Sequence, residues 1–296
     1  MSESDFFLYL ITIGAGTIVF PITILGIVVP VTYNIIAGIS ERYNSDVISN
    51  LFFEEKFNYY IRFFLFLCLF LIISLFVLMF LFYYFLLSWL KFIISAILLA
   101  ILVGSFILIY QFLKIVKLYS INRDYVLDEL FKKAEIVFTI EEKTDNNSLE
   151  QIKNKYEEAL EGIGDILEYE TKIKKKFISV KDVLSRIRDL NKDIIKNLGE
   201  NPKVFEKFAF TKDYFEDNKK SKFVTKFILR NIPKTYLSPL LAPFNQIERT
   251  LITALESGNY EISKSSLSYL YYLLLNFSEL KDHELFVEII LGVRGR

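Results

Sequence analysis

The chain has 296 residues and carries 35 Lys/Arg against 35 Asp/Glu, a formal net charge of zero. Its 29 Phe and 18 Tyr, with only six Pro, depart from the usage of soluble globular domains. A single Cys excludes an internal disulfide, and a single His beside it excludes a zinc site built from Cys and His.

The first apolar run covers residues 6–37. About 20 apolar residues at a rise of about 1.5 Å suffice to cross a bilayer. No basic segment precedes the run and it is too long for a signal-peptide core, so it reads as a retained span. Thr12, Gly14, Gly16, Thr17, Pro21, Thr23, Gly26, Pro30, Thr32 and Asn34 interrupt it. At about 100° per residue, Thr12, Gly16, Thr23, Gly26, Pro30, Asn34 and Ala37 share one stripe, with Val19 as its apolar member. Pro21 and Pro30 remove helix hydrogen bonds, which a bilayer tolerates where the helix faces protein or a water-filled cavity. The stripe fits a pore lined by hydroxyls and carbonyls, and it fits a tightly packed interhelical seam equally well.

Leu51, Phe52 and Phe53 stand beside Glu54, Glu55 and Lys56. They predict either a short helix in the membrane interface or an ordinary loop. Residues 61–110 hold only Arg62 and Lys91 as charges. One helix across that block would be about twice too long for a bilayer, so the chain turns near residues 88–91 and forms spans 63–84 and 92–113. The second span is apolar on every face apart from Cys68 and Ser74, which suits lipid, with Tyr83, Tyr84 and Trp89 at the outer interface. The third carries Ala96, Ala100 and Gly104 at four-residue spacing. Small residues so spaced let two helix backbones approach, either within the chain or between subunits. No charge lies deep in a span, which argues against proton-coupled transport.

Lys and Arg accumulate after the third span (Lys114, Lys117, Arg123, Lys132, Lys133) and are absent before the first. That bias puts the N-terminus outside and the remainder in the cytoplasm. The expected division is a transmembrane domain over residues 1–118 and a cytoplasmic sensor or interaction domain over 119–296. The first holds six residues of each charge and the second 29 of each.

No Gly or Pro occurs between 105 and 139, and Leu127, Leu130, Ala134 and Val137 keep helical spacing, so the third span's helix is expected to continue out of the membrane. Ser148 followed by Gln151 predicts a capping box opening a helix to about residue 175, with Gly162 and Gly164 as weak points. A helix over 177–198 stops at Gly199, and Asn201-Pro202 restarts the chain. Pro233, Pro239 and Pro243 predict an irregular connection, followed by helices over 244–256, 263–276 and 284–291. The corner from Ala254 to Tyr260 resembles that of a tetratricopeptide repeat, a single copy where a solenoid needs about three. No strand pattern is visible. The fold class is all-α: an N-terminal three-helix transmembrane bundle followed by a helical cytoplasmic domain.

Charge is patterned inside the balanced total. Residues 141–170 carry ten acidic and three basic groups, and residues 172–188 carry seven basic and one acidic. Lys172, Lys175 and Lys176 belong to that basic cluster. Lys219, Lys222, Lys226 and Arg230 fall on one helical stripe with Phe223 and Phe227 beside them. These residues are candidates for an anionic ligand, either a nucleotide or oligonucleotide or anionic lipid headgroups, and they also read as a solvated face paired to the acidic segment. No nucleophile–base pairing, Walker loop or metal-ligand cluster appears, and His283 stands alone at a helix start. The expectation is a non-enzyme with no cofactor and no metal.

A small span bundle, a Lys/Asn/Ile/Phe-rich composition and a helical sensor domain together resemble the transmembrane effectors of bacterial anti-phage defence, nearest in layout to the Hailong type. The likeness is one of architecture and carries no site residue across. It implies a multi-pass protein of the bacterial cell membrane, in which a nucleotide or oligonucleotide signal controls leakage. The leading expectation is therefore an oligomeric, ligand-gated channel or permeabilising effector, since three spans enclose no wide pore alone. The alternative is a membrane-anchored helical scaffold that binds a protein partner.

Overall fold

The computed structural model describes residues 3–57, 59–60, 62–63, 66, 70, 73, 88–174, 177–209 and 238–277. Among the described residues the chain is helical and contains no strand. It divides into two compact units, the first formed by residues 1–41 and 48–126, the second by residues 42–47 and 127–296. Most of the expected second span, the last helix, Cys68, Tyr83, Tyr84 and His283 lie outside the described residues.

In the first unit, α1 (Glu3–Tyr43) runs unbroken through both prolines over about 60 Å. A short helix, α2 (Asp46–Leu51), leads into one π-helical turn, Phe52–Phe57. The long helix α3 (Ser88–Ile121) follows. Within it, residues 103–121 are long and apolar enough to cross a membrane, and only 22% of that stretch is buried. No other described helix meets both conditions.

Residues 51–57 do not form an interfacial helix with its apolar side free. Leu51 and Phe52 are completely buried. Phe52 meets Tyr119 edge-on at 5.0 Å and lies 6.4 Å from Phe112, both on α3. Phe53 meets Tyr33 of α1 at 5.1 Å. Aromatic burial of this kind outweighs the amphipathic pattern that the neighbouring glutamates suggest.

The helix of the third apolar run continues past residue 113, as expected, but only to Ile121. Helix α4 (Arg123–Ala134) then begins afresh, followed by a 3-10 turn, Glu135–Thr139. The Asn122 side-chain carbonyl accepts from the Tyr125 backbone N–H at 3.2 Å, an N-cap that competes with helix continuation. Neither Gly nor Pro was needed for the break.

The second unit is an all-helical bundle. Its elements are α5 (Asn146–Tyr169), α6 (Phe177–Gly199), α7 (Pro202–Ala209), α8 (Ser238–Glu256) and α9 (Tyr260–Phe277). Helix α8 packs on α5 and α9, and α9 packs on α6. Leu160, Ile163 and Ile166 of α5, Leu184 and Ile187 of α6, Phe208 of α7, Ile247 of α8, and Ile262 and Leu273 of α9 make the solvent-free core. Arg186 lies 4.1 Å over the ring of Phe131 and pairs with Asp128 at 2.8 Å, fastening α6 to α4.

Three local expectations change. The cap of α5 is Asp145, whose carboxylate accepts from the Ser148 N–H at 3.4 Å, so the helix starts two residues before Ser148. Helix α8 begins at Ser238, with Pro239 in its first turn, where the missing N–H has no intrahelical partner to lose, and Pro243 just beyond. Gly162 and Gly164 are contact points inside an unbroken helix. A Cβ on Gly162 would stand 3.0 Å from Val47 and 3.1 Å from Leu130, and one on Gly164 would collide with the Gln246 side-chain oxygen.

The corner after α8 closes as the sequence implies. Gly258 has a φ of 69°. The Asn259 N–H donates to the Ala254 carbonyl at 2.8 Å and the Gly258 N–H to Leu255 at 3.1 Å. That pair of bonds is a Schellman stop, and the Asn259 side chain then caps Ile262 at 3.3 Å.

Candidate functional site

Over its last turns helix α1 has a buried side and an exposed one among the described residues. Thr32, Ile36 and Ile39 are buried, and at about 100° per residue they lie opposite Asn34. Thr12, Gly16, Val19, Thr23, Gly26, Pro30 and Asn34 are all exposed. A Cβ added to Gly16 or Gly26 would meet nothing within 4 Å. Ala37, at the end of the stripe, is half-buried, and the other seven positions have no neighbour covering them among the described residues.

Two features of that face matter chemically. The Thr23 hydroxyl donates to the Val19 carbonyl at 2.8 Å, so its hydrogen is held by its own helix and its oxygen remains available to accept. Pro30 has no N–H to give to the carbonyl of Gly26, one turn earlier on the same exposed stripe. That carbonyl is an acceptor deprived of its helical donor.

On α3, Ala96 and Ala100 are exposed, and Gly104 is half-buried with nothing within 4 Å of an added Cβ. The buried side of α3 carries Ser105, Phe112, Val116 and Tyr119 instead. The small residues of α3 therefore lie away from its packed face.

Of the anion-binding candidates in the second unit, Lys172 is described. It is exposed, and its ammonium lies 3.9 Å from Glu168. Lys175, Lys176, Lys219, Lys222, Phe223, Lys226, Phe227 and Arg230 lie outside the described residues.

The second unit also holds polar groups that sequence reasoning missed. Arg249 of α8 reaches Asp165 at 2.6 Å and Glu168 at 2.5 Å, two carboxylates one turn apart on α5. These pairs hold the Arg249 guanidinium firmly protonated against the opposing effect of burial. Beside it opens a cleft of about 660 Å³ lined by Glu168, Asn245, Glu248, Arg249, Ile252, Thr253 and Glu256. Three carboxylates against one guanidinium do not suit an anion. Lys153 stands on the core side of α5 with its side chain 2% exposed, and Glu150 lies 3.5 Å away. Burial pushes its ammonium down, against the pull of Glu150 and Glu157. An i,i+3 acidic pair was visible in the sequence, but nothing local to it names an arginine 84 residues away. Among the described residues no group of His, Cys, Asp and Glu is arranged to hold a metal.

No protein family, no curated protein and no solved structure matches this chain.

Proposed function

We propose that the chain is one subunit of an oligomeric membrane channel or membrane-permeabilising effector, with the α1 stripe facing the conduit. In this reading the apolar runs form a three-span bundle in the cell membrane and the helical unit lies in the cytoplasm. The observation that carries it is the exposed stripe, whose Gly26 carbonyl lacks the helical donor that Pro30 cannot supply. A bilayer core offers no donor to such a group, so the face calls for water or for another subunit. Thr12, Gly16, Thr23, Gly26, Pro30 and Asn34 would present oxygens and open backbone to permeating ions. Gating by an anionic ligand, a nucleotide or oligonucleotide, rests on the lysine-rich stretches of the sequence. No enzymatic step belongs to this reading.

Reconstitution in liposomes tests it. The expected result is ion flux from the parent protein, and altered conductance in Thr23→Leu with Asn34→Leu while chemical cross-linking still returns the same oligomer. A monomer that passes no ions on expression or in liposomes refutes it.

A second reading is a membrane-anchored scaffold that binds a protein partner and conducts nothing. The exposed row of Tyr260, Leu267, Tyr271 and Leu275 along α9 favours it, since these positions form one helical stripe. Capture of a partner that is lost in Leu267→Glu with Tyr271→Glu, together with absent conductance, would select this reading.

A further inference from the structure

Helix α5 ends in a π-helical turn, Glu170–Lys174, and α6 starts at Phe177; two isoleucines near this corner stand in the open. Ile173 is 64% exposed and Ile178 is 75% exposed. The turn is fixed from its inner side. Glu170 and Thr171 are buried, and the Ser179 hydroxyl donates to the Glu170 carboxylate. Held in that way, the backbone presents Lys172 and Ile173 outward. Lys181, three residues along α6 from Ile178, is exposed and has no carboxylate partner among the described residues. The sequence from 172 to 178 reads KIKKKFI, with four lysines and no acid.

We propose that this corner docks on a bilayer surface containing anionic lipid, with Ile173 and Ile178 at headgroup depth and Lys172 and Lys181 against the lipid phosphates. The inference rests on the membrane reading above and adds a contact that reading does not contain. Single exposed apolar residues are ordinary on protein surfaces, but an aliphatic pair flanked by exposed Lys172 and Lys181 matches the headgroup boundary, which is charged above and greasy below. Anionic leaflets attract such polybasic segments, and salt screens the attraction within about a Debye length. A nucleic acid would instead be met by cations with exposed rings for base stacking. Among the described residues of the corner the two most open side chains are aliphatic, and Phe177 is half-buried.

The test uses the full chain in a Cys68→Ser background, with an environment-sensitive fluorophore on Ile178→Cys. Proteoliposomes are made of phosphatidylcholine alone or of phosphatidylcholine with phosphatidylglycerol. The expected result is blue-shifted emission and quenching by spin-labelled lipid in the anionic vesicles. Both responses should vanish in high salt and in Lys172→Glu with Lys181→Glu. A second probe on Lys264→Cys, on α9, should stay open to iodide in every vesicle and show that burial of position 178 is local, while an unchanged far-UV helical signal reports that the variants are folded. Iodide-accessible emission from position 178 in both lipid compositions overturns the proposal. So does a shift produced in neutral vesicles by added single-stranded oligonucleotide, which would make the partner a soluble polyanion. Carbonate extraction keeps the two ideas apart: a chain that washes off membranes sinks the span assignment, while the probe's response to anionic vesicles still decides the corner.

Discussion

Replacing Arg249 with Met keeps the aliphatic stem packed between α8 and α5 and deletes the guanidinium. Its side chain is 40% exposed, so solvent screens much of the direct Coulomb energy of the two contacts. The larger loss falls on Asp165, which is 7% exposed and would be left as an almost buried carboxylate without its arginine. Such a group costs about 1–3 kcal/mol. Glu168 is 28% exposed and keeps Lys172 nearby, so its share is about 0–1 kcal/mol. Together these give about 2 kcal/mol, or roughly 4–8 °C in the melting temperature of a unit this size. Thermal unfolding in detergent, followed by a fluorophore on the second unit, reads the effect. Asp165→Asn and the double variant complete a cycle whose coupling should be about 1–2 kcal/mol. Arg249→Met within about 0.5 kcal/mol of the parent, or a double variant equal to the sum of the singles, would refute the clamp.

Gly162→Ala should change stability by less than about 1 kcal/mol, because a gain in helix propensity of about 1 kcal/mol offsets crowding against Val47 and Leu130. Gly162→Leu should unfold the second unit at markedly lower denaturant, and an unchanged midpoint would contradict the close approach. The carboxyls of Glu142 and Asp145 are both held below their usual values, Glu142 chiefly by the hydrogen bond from Lys203 and Asp145 chiefly by its bond with Ser148. A carboxyl lowered by folding contributes stability above its unfolded value and loses it as pH falls through the folded one. The start of α5 should therefore loosen below about pH 4, seen as faster hydrogen exchange at residues 146–149, and a pH-independent opening equilibrium there would count against it. Asn34→Asp, which puts a charge on the exposed stripe of α1, should raise cation over anion flux if that stripe lines the conduit, and unchanged selectivity would move the lining elsewhere.

Signals that act over three or four residues were legible in the chain. The stop at Gly199 and the restart at Asn201-Pro202 fall where expected, and the Gly258 corner follows from that residue's left-handed backbone. The outward stripe of α1 was legible as a stripe, but its direction was not, because periodicity groups residues without saying what they face. Asn122 and Asp145 were passed over for a different reason. A capping side chain interrupts or opens a helix without Gly or Pro, so a search for strong breakers misses it. Gly162, Gly164 and Arg249 act through partners far along the chain, and propensity has no access to that distance.

The ring of Phe52 behaves as a rivet. It is wholly enclosed, with Tyr119 and Phe112 of α3 around it and its neighbour Phe53 against Tyr33 of α1. Sliding one of those helices along the other near this point would drag an aromatic side chain out of a filled pocket, and close-packed interiors resist such creep. Motion arriving there must be carried by both helices together, as a shared tilt or twist.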